Sequence, residues 1–346
     1  MRAGCPVNGV RNTPQYPMLN VKIAGVGHYL PEQVITSSAL EQRYGLDAGW
    51  IARTTGIVAR RRATHETTVS MAAAAARHAL TAAGVALGTV DLIISASSGP
   101  QQIIPCTAAF IQRELGAPEG QSACFDLDAT CLSFLCALQT AAHLVAAGSY
   151  RRVLIVSSEV AGYALNPREP ASAVLFGDAA AAAVVVPTPP DESAALLKAQ
   201  FATYSSGADL TTIRGGGTLH HPNDPATRPE MNTFSMDGMG VYKKAARLLT
   251  PFLETFLEQI GWQREEVDRV VPHQASGHAV DLLHTRYGFR PAQVVCNLAE
   301  RGNCVAASIP LALSEAVATG QIRRGQRLLL VGTGAGLTLG AVGLIF

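Results

Sequence analysis

The feature that most constrains this chain is that it contains one pattern twice. Val90-Asp91-Leu92-Ile93-Ile94-Ser95-Ala96-Ser97-Ser98 is matched by Val267-Asp268-Arg269-Val270-Val271-Pro272-His273-Gln274-Ala275-Ser276, and a helical stretch follows each, to Gly116 and to Gly288. Cys131 then precedes an Ala- and Leu-rich run that closes at Gly148-Ser149-Tyr150-Arg151-Arg152-Val153-Leu154-Ile155-Val156. Asn303 precedes a similar run that closes at Gly320-Gln321-Ile322-Arg323-Arg324-Gly325, before Leu328-Leu329-Leu330-Val331. Self-similarity on this scale marks a duplicated unit. Each copy reads strand, helix, strand, helix, strand, and the strands are continuous apolar runs, as in sheets covered on both faces with helices as crossovers. The expected fold is α/β, a five-layered αβαβα sandwich in which two sheets enclose shared helices. Thr68–Ala83 and residues 242–260 read as further helices, the former so rich in alanine that it is expected between layers.

A chain of 346 residues has room for two such halves. Pro187-Thr188-Pro189-Pro190-Asp191-Glu192 ends the apolar strand at 179–186, placing the boundary between a first half, 20–187, and a second half, 188–346. Residues 1–19 read as a loose extension with no apolar core of signal-peptide length. Charged residues are 15% against about 25% in an ordinary chain, so an unusual share of the surface expects burial, a subunit interface included. A net charge of +1 provides no field for a nucleic acid backbone or an anionic membrane. Seven cysteines without a C-x-x-C pair suggest neither a disulfide scaffold nor a zinc site, and point to a reducing cytoplasm. Residues 328–346 carry no charge and have the length of a membrane span. Glycines at 332, 334, 336, 340 and 343 divide them instead into β-type runs at 328–331 and 339–345 around a glycine loop. Residues 215–237, with Gly215-Gly216-Gly217 and His220-His221, read as a functional loop or cover.

Cys131 lies in Asp128-Ala129-Thr130-Cys131-Leu132-Ser133-Phe134, where a strand should give way to a helix. Free main-chain N–H groups and the helix dipole there favour a thiolate and can bring a thiol from roughly 8.5 to about 7 or below. The competing assignment is a small core residue, like Cys124 or Cys136. His273 closes an apolar strand at the sheet edge where ligands of such folds collect. Asn303 occupies the loop before the second copy of the Cys131 helix, so the duplication predicts that thiol and amide face each other across a pseudo-twofold axis. Taken singly, His273 also reads as a satisfied structural histidine and Asn303 as a turn residue.

Several motifs together resemble β-ketoacyl-acyl-carrier-protein synthase III of the thiolase superfamily, from about residue 20 to the end. They are Gly25-Val26-Gly27-His28-Tyr29-Leu30-Pro31, Trp50-Ile51 with Thr55-Gly56-Ile57 and Arg60-Arg61, Leu175-Phe176-Gly177-Asp178-Ala179, Val271-Pro272-His273-Gln274-Ala275, and Gly302-Asn303-Cys304-Val305-Ala306-Ala307-Ser308-Ile309-Pro310. The resemblance implies a thiolase-like sandwich and a homodimer. It makes Cys131 the nucleophile that takes an acyl group from a coenzyme A or carrier-protein thioester. His273 and Asn303 would bind the thioester carbonyl of malonyl-acyl-carrier protein, and Gly334-Ala335-Gly336 would supply an oxyanion donor alongside the Cys131 N–H. It implies no cofactor and no metal; coenzyme A enters as part of a substrate. Trp50 matches an adenine-stacking residue, with Arg53 and Arg168 standing near positions where the family's arginines are replaced here by Thr54 and Pro170. Ile104 falls where a partner subunit closes the acyl pocket, Lys243 and Gln274 where the carrier protein is met, and His278 where an arginine is common. Thr333 replaces a family phenylalanine.

Within the superfamily, a primer-specific synthase of secondary metabolism or biotin precursor supply and a head-to-head acyl-coenzyme A condensing enzyme of olefin synthesis are the alternatives. The latter needs a glutamate base, and Glu114 reads as a solvated helix residue. The order Cys131, His273, Asn303 is also that of a papain-like protease, but C-G-[SA]-C-[WY] is absent around Cys131. A non-catalytic partner half would lack the nucleophile.

Overall fold

A strand covered on both faces has no use for polar alternation, and the apolar runs fold accordingly. The structure is a computed structural model that describes residues 18–346. The extension expected at 1–19 lies almost wholly outside the described residues. The first sheet contains β1 (Val21–Tyr29), β2 (Leu92–Ser95), β3 (Ala123–Asp126), β4 (Val153–Glu159) and β5 (Ala179–Pro187), in the order β1-β5-β4-β2-β3. The second contains β6 (Ala195–Gly207), β7 (Arg269–Pro272), β8 (Arg327–Gly334) and β9 (Gly336–Ile345), in the order β6-β9-β8-β7. Both run antiparallel, antiparallel, parallel from their first strand. The fifth strand expected in the second copy is reduced to one bridge, between Val270 and Val294. Pro291 opens a 3-10 turn just before it and the helix Leu298–Arg301 begins just after, leaving too few extended residues for a ladder.

The duplication also appears in small polar devices. The Asp91 carboxylate accepts the N–H groups of Arg151 and Arg152 at 2.7 and 2.9 Å, and Asp268 accepts that of Arg327 at 2.7 Å. Arg327, rather than Arg323 or Arg324, is therefore the counterpart of Arg152.

The longer helices that pack on the two sheets are α1 (Thr68–Ala83), α2 (Thr107–Leu115), α3 (Ser133–Ala146), α4 (Gly238–Ile260), α5 (Gly277–Thr285) and α6 (Ser308–Ala318). Leu135, Leu138, Ala141 and Val145 of α3 and Ile309, Ala312, Leu313 and Ala316 of α6 share one apolar cluster with both sheets. That cluster is the middle of the sandwich. Helices α1 and α2 cover the outer face of the first sheet, and α4 and α5 that of the second. Five layers result.

Helix α1 is not between the layers, as its composition suggested, but outside. It is capped by Thr67 with Ser70 and ended by Gly84 in the left-handed region. Its alanines are buried because it lies so close to β1 that a Cβ on Gly25 or Gly27 would run into the backbone of Ala79 and Ala83. Of the C-terminal glycines, Gly332, Gly334, Gly340 and Gly343 sit within strands, and the expected loop shrinks to a hairpin turn over 335–337, because β8 and β9 stay paired as far as Gly334 with Thr338. Larger neighbours, Leu132 and Phe201 among them, fill the space above these glycines. Among the described residues no helix is long and apolar enough to cross a membrane.

Candidate active site

The turn before α3 and the turn before α6 meet in the middle layer. Each begins with a short polar side chain that caps its own backbone. Asp128 Oδ1 accepts the Thr130 N–H at 2.7 Å, and Asn303 Oδ1 accepts the Val305 N–H at 2.9 Å. Ser133 Oγ accepts the Ala129 N–H at 2.9 Å, and Ser308 Oγ accepts that of Cys304 at 3.0 Å. Thr130 and Val305 both have positive φ, 53° and 50°, which β-branched residues rarely adopt. These three correspondences equate Asn303 with Asp128, and Cys131 with Ala306. The thiol and the amide are thus neighbours in adjoining turns, but not mirror images as the repeat spacing implied.

Cys131 is partly accessible, and its sulfur is approached by two main-chain donors, its own N–H and that of Ala335 at the tip of the β8–β9 hairpin. The hairpin is held there by Leu132, which is wholly buried and packs into notches left by Gly332, Gly334 and Gly340. Burial of a leucine contributes roughly 1.5–3 kcal/mol, which here secures the hairpin tip beside Cys131. The thiol is not lowered as a helix N-terminus would have it. Burial pushes it up to about 12, reinforced by the charges of Glu159 and Asp128, and the two N–H groups only partly offset this. The helix dipole is outweighed by desolvation and two carboxylates.

His273 follows β7 and is 6% exposed. Its N–H bonds Val331 O at 2.8 Å, and its Cβ lies against Gly332, where Leu132 also packs. Burial lowers the imidazole to about 4, so it is neutral, and its Nδ1 has no partner. A proton on Nε2 leaves an acceptor rather than a donor orphaned, the less costly choice. Asn303 is 7% exposed; its N–H donates to Leu175 O at 2.8 Å and its carbonyl accepts the Gly177 N–H at 3.0 Å. With Oδ1 committed to Val305, the Nδ2 amide remains for a ligand. The segment 215–237 reaches this turn, since Phe234 donates to Ala164 O at 2.7 Å and its ring meets that of Phe176 at 4.8 Å.

The other expected site residues lie apart from this centre. Trp50 packs beside Ile51 and Val174 at the start of a short helix, Trp50–Thr55. Arg53 is exposed and its guanidinium donates to Ala48 O at 2.9 Å, while Arg168 is exposed on the loop before Pro170. Ile104 is 79% exposed on the 99–106 loop, outside this chain's own site. Lys243 is exposed on α4, and His278 on α5. Gln274 is a correction. It is fully buried, with its amide donating to Pro272 O and Val295 O, so it braces β7 and has no face for a carrier protein. Glu114 is exposed on α2, as expected.

One residue was missed. Glu159 ends the otherwise uncharged strand β4, is 4% exposed, and burial raises its carboxyl to about 7. A lone acidic residue closing a continuous apolar run was the available signal.

Two family models match this chain. Residues 125–205 fit 3-oxoacyl-[acyl-carrier-protein (ACP)] synthase III, and residues 257–345 fit the 3-oxoacyl-[acyl-carrier-protein (ACP)] synthase III C terminal. A β-ketoacyl-[acyl-carrier-protein] synthase III of Desulfitobacterium hafniense (strain DSM 10664 / DCB-2) is 37% identical over 325 residues, 94% of this chain and 97% of that protein. The crystal structure of 3-oxoacyl-[acyl-carrier-protein] synthase III from Aquifex aeolicus VF5 matches with a TM-score of 0.85 and 34% identity, covering 94% of this chain and all of that one. The priming β-ketosynthase of the R1128 polyketide biosynthetic pathway matches with a TM-score of 0.86 and 29% identity, covering 95% of this chain and 97% of that one.

Proposed function

The chain belongs to the 3-oxoacyl-[acyl-carrier-protein] synthase III family of acyl-transferring condensing enzymes, and from that premise we propose that it joins an acyl thioester primer to malonyl-acyl-carrier protein with loss of CO2. The observation that carries this reading is the convergence at Cys131 of two main-chain N–H donors, beside a neutral imidazole and a free side-chain amide. The Cys131 sulfur attacks the primer carbonyl, and the proton it gives up as the bond forms is taken by the carrier thiolate as that departs. The developing oxyanion is met by the N–H groups of Cys131 and Ala335. The carrier thiol leaves, and acyl-Cys131 remains. His273 Nε2–H and Asn303 Nδ2 then hold the malonyl thioester oxygen. As CO2 departs, the enolate charge builds on that oxygen, and two neutral donors stabilise it without favouring the ground state as a fixed charge would. The enolate carbon attacks acyl-Cys131, and the sulfur leaves as the β-ketoacyl thioester is released. These steps use only the protein's own groups, with coenzyme A or carrier protein as substrate.

The same reading makes the protein a cytoplasmic homodimer, with Ile104 reaching a partner's acyl pocket and Trp50, Arg53 and Arg168 facing the primer's carrier. Fatty acid initiation is the setting that the family's name supports; likeness to a priming ketosynthase supports a primer-specific role in secondary metabolism as the second reading.

Intact-protein mass spectrometry with a graded panel of acyl-coenzyme A thioesters, followed by a malonyl-carrier-protein chase, tests the proposal. Wild type should gain an acyl mass and lose it into a β-ketoacyl product. Cys131→Ala should gain none, while His273→Ala should acylate and fail in the chase. Equal loss of both steps in His273→Ala would contradict the division of roles.

A further inference from the structure

Glu159 is a buried carboxylate that the condensation as written does not use. It accepts the Ser98 N–H at 2.7 Å and the Ser98 hydroxyl at 2.8 Å, and it also accepts the main-chain N–H of Ala306. It therefore ties three elements together: its own strand, the segment after β2, and the turn that carries Asn303.

The duplication gives this arrangement a meaning. Strand β4 corresponds to β8, because Val156 O accepts the Ala96 N–H just as Val331 O accepts that of His273. Three residues further along each strand, Glu159 stands where its copy has Gly334. Ala306 in turn is the counterpart of Cys131. In one copy, then, the strand position carries no side chain, Thr130 and Leu132 pack close over it, and the N–H of the nucleophile's turn is left to the Cys131 sulfur. In the other, a carboxylate enters the equivalent place and occupies the equivalent N–H. A carboxylate oxygen is a good stand-in for an oxyanion, since both are charged acceptors for main-chain donors.

We propose that Glu159 is a positioning residue for the condensation, a built-in carboxyl acceptor that fills the second, non-catalytic copy of the oxyanion site and holds the Asn303 turn in place; this rests on the family reading of Cys131 and Asn303. The link to Asn303 is short. Ala306 is next to Val305, whose N–H fixes the Asn303 amide. Freeing the Ala306 N–H loosens the donor that meets the malonyl oxygen. The carboxylate also acts on the nucleophile, where its charge holds the thiol up. The titratable groups facing it are Asp128 and Cys131 on the nucleophile's turn and Cys304 on the Asn303 turn, the last pushed far up by burial.

Charge and reach can be separated with two variants. Glu159→Gln keeps the shape and removes the charge. Its Cys131 should alkylate with iodoacetamide at a midpoint shifted to lower pH, while malonyl decarboxylation falls at least tenfold. Glu159→Asp keeps the charge and shortens the reach to Ala306. It should leave the alkylation midpoint in place and still lose decarboxylation, with primer acylation within about threefold of wild type. A more reactive thiol alongside a slower second half-reaction is not what general loosening produces. An unshifted midpoint in Glu159→Gln, or equal slowing of both half-reactions in Glu159→Asp, would overturn the proposal. Alkylation needs no substrate, so a wild-type protein that accepts no acyl group would defeat the family reading separately. The midpoint shift would still decide whether Glu159 acts on Cys131.

Discussion

The turns at 128–133 and 303–308 are nearly one structure, with an equivalent capping oxygen, a serine at the same place and a strained β-branched residue at φ near 50°. They differ in what stands in front of them. Before Cys131, Gly334 presents no side chain and Thr130 and Leu132 pack against it; before Ala306, the carboxylate of Glu159 stands at the equivalent position. Asp128 in one turn is Asn303 in the other, and Ala96 in the first copy is His273 in the second. A single scaffold thus presents a thiol on one side and a side-chain amide and a neutral imidazole on the other. The lesson is that the asymmetry of the candidate site comes from a handful of side chains on a symmetric backbone, including one that is absent.

The largest effect is expected from placing a side chain at Gly334. A Cβ at Gly334 would stand 2.8 Å from Thr130 Oγ1 and 3.3 Å from Ala129 O, so the nucleophile's turn must move. Gly334→Ala should slow Cys131 acylation by about 10²–10³-fold, the usual cost of a lost oxyanion donor. Single-turnover acylation followed by mass would measure this. Wild-type rates would show that acylation does not depend on the position of this turn.

The second concerns His273, whose copy is the apolar Ala96. Burial holds the folded imidazole at about 4 against an ordinary 6.5. As pH falls from 6.5 to 4 the unfolded chain binds a proton that the folded chain refuses, so stability is full above this window and drops through it, by about 3 kcal/mol. In His273→Asn this part of the pH dependence should vanish. Urea midpoints compared between the two proteins across that range would check it, and parallel curves would show that His273 protonates freely in the fold.

The smallest effect tests the capping pair. Asp128→Asn converts the first turn's cap into that of the second, keeps the Thr130 hydrogen bond and removes a charge that raises the thiol. Alkylation of Cys131 at a fixed, mildly alkaline pH should quicken a few-fold, with the acyl-enzyme yield unchanged. A slower reaction would mean that Asp128 assists the thiol in some other way.

Much of this was legible in the residues. The duplicated apolar runs, punctuated by Gly116, Gly148, Gly288 and Gly320, determined two buried sheets with crossover helices, because continuous apolar strands have nowhere else to go. The strand-to-helix positions of Cys131 and Asn303 followed from the same pattern, as did the strand end at His273. Tertiary structure alone decided the rest. Alanine content shows that α1 is buried but not on which side, since burial against the outer face of a sheet and burial between sheets demand the same side chains. Gln274 reads as a polar residue beside a catalytic one, and only the fold turns its amide inward to Pro272 and Val295. Helix position favoured a thiolate at Cys131, yet desolvation and the charges of Glu159 and Asp128 act through space from residues near and distant in sequence. Local pattern determines what a backbone segment becomes. Charge, burial and the space left by a missing side chain depend on which segments meet, and that is settled only when the two halves close on each other.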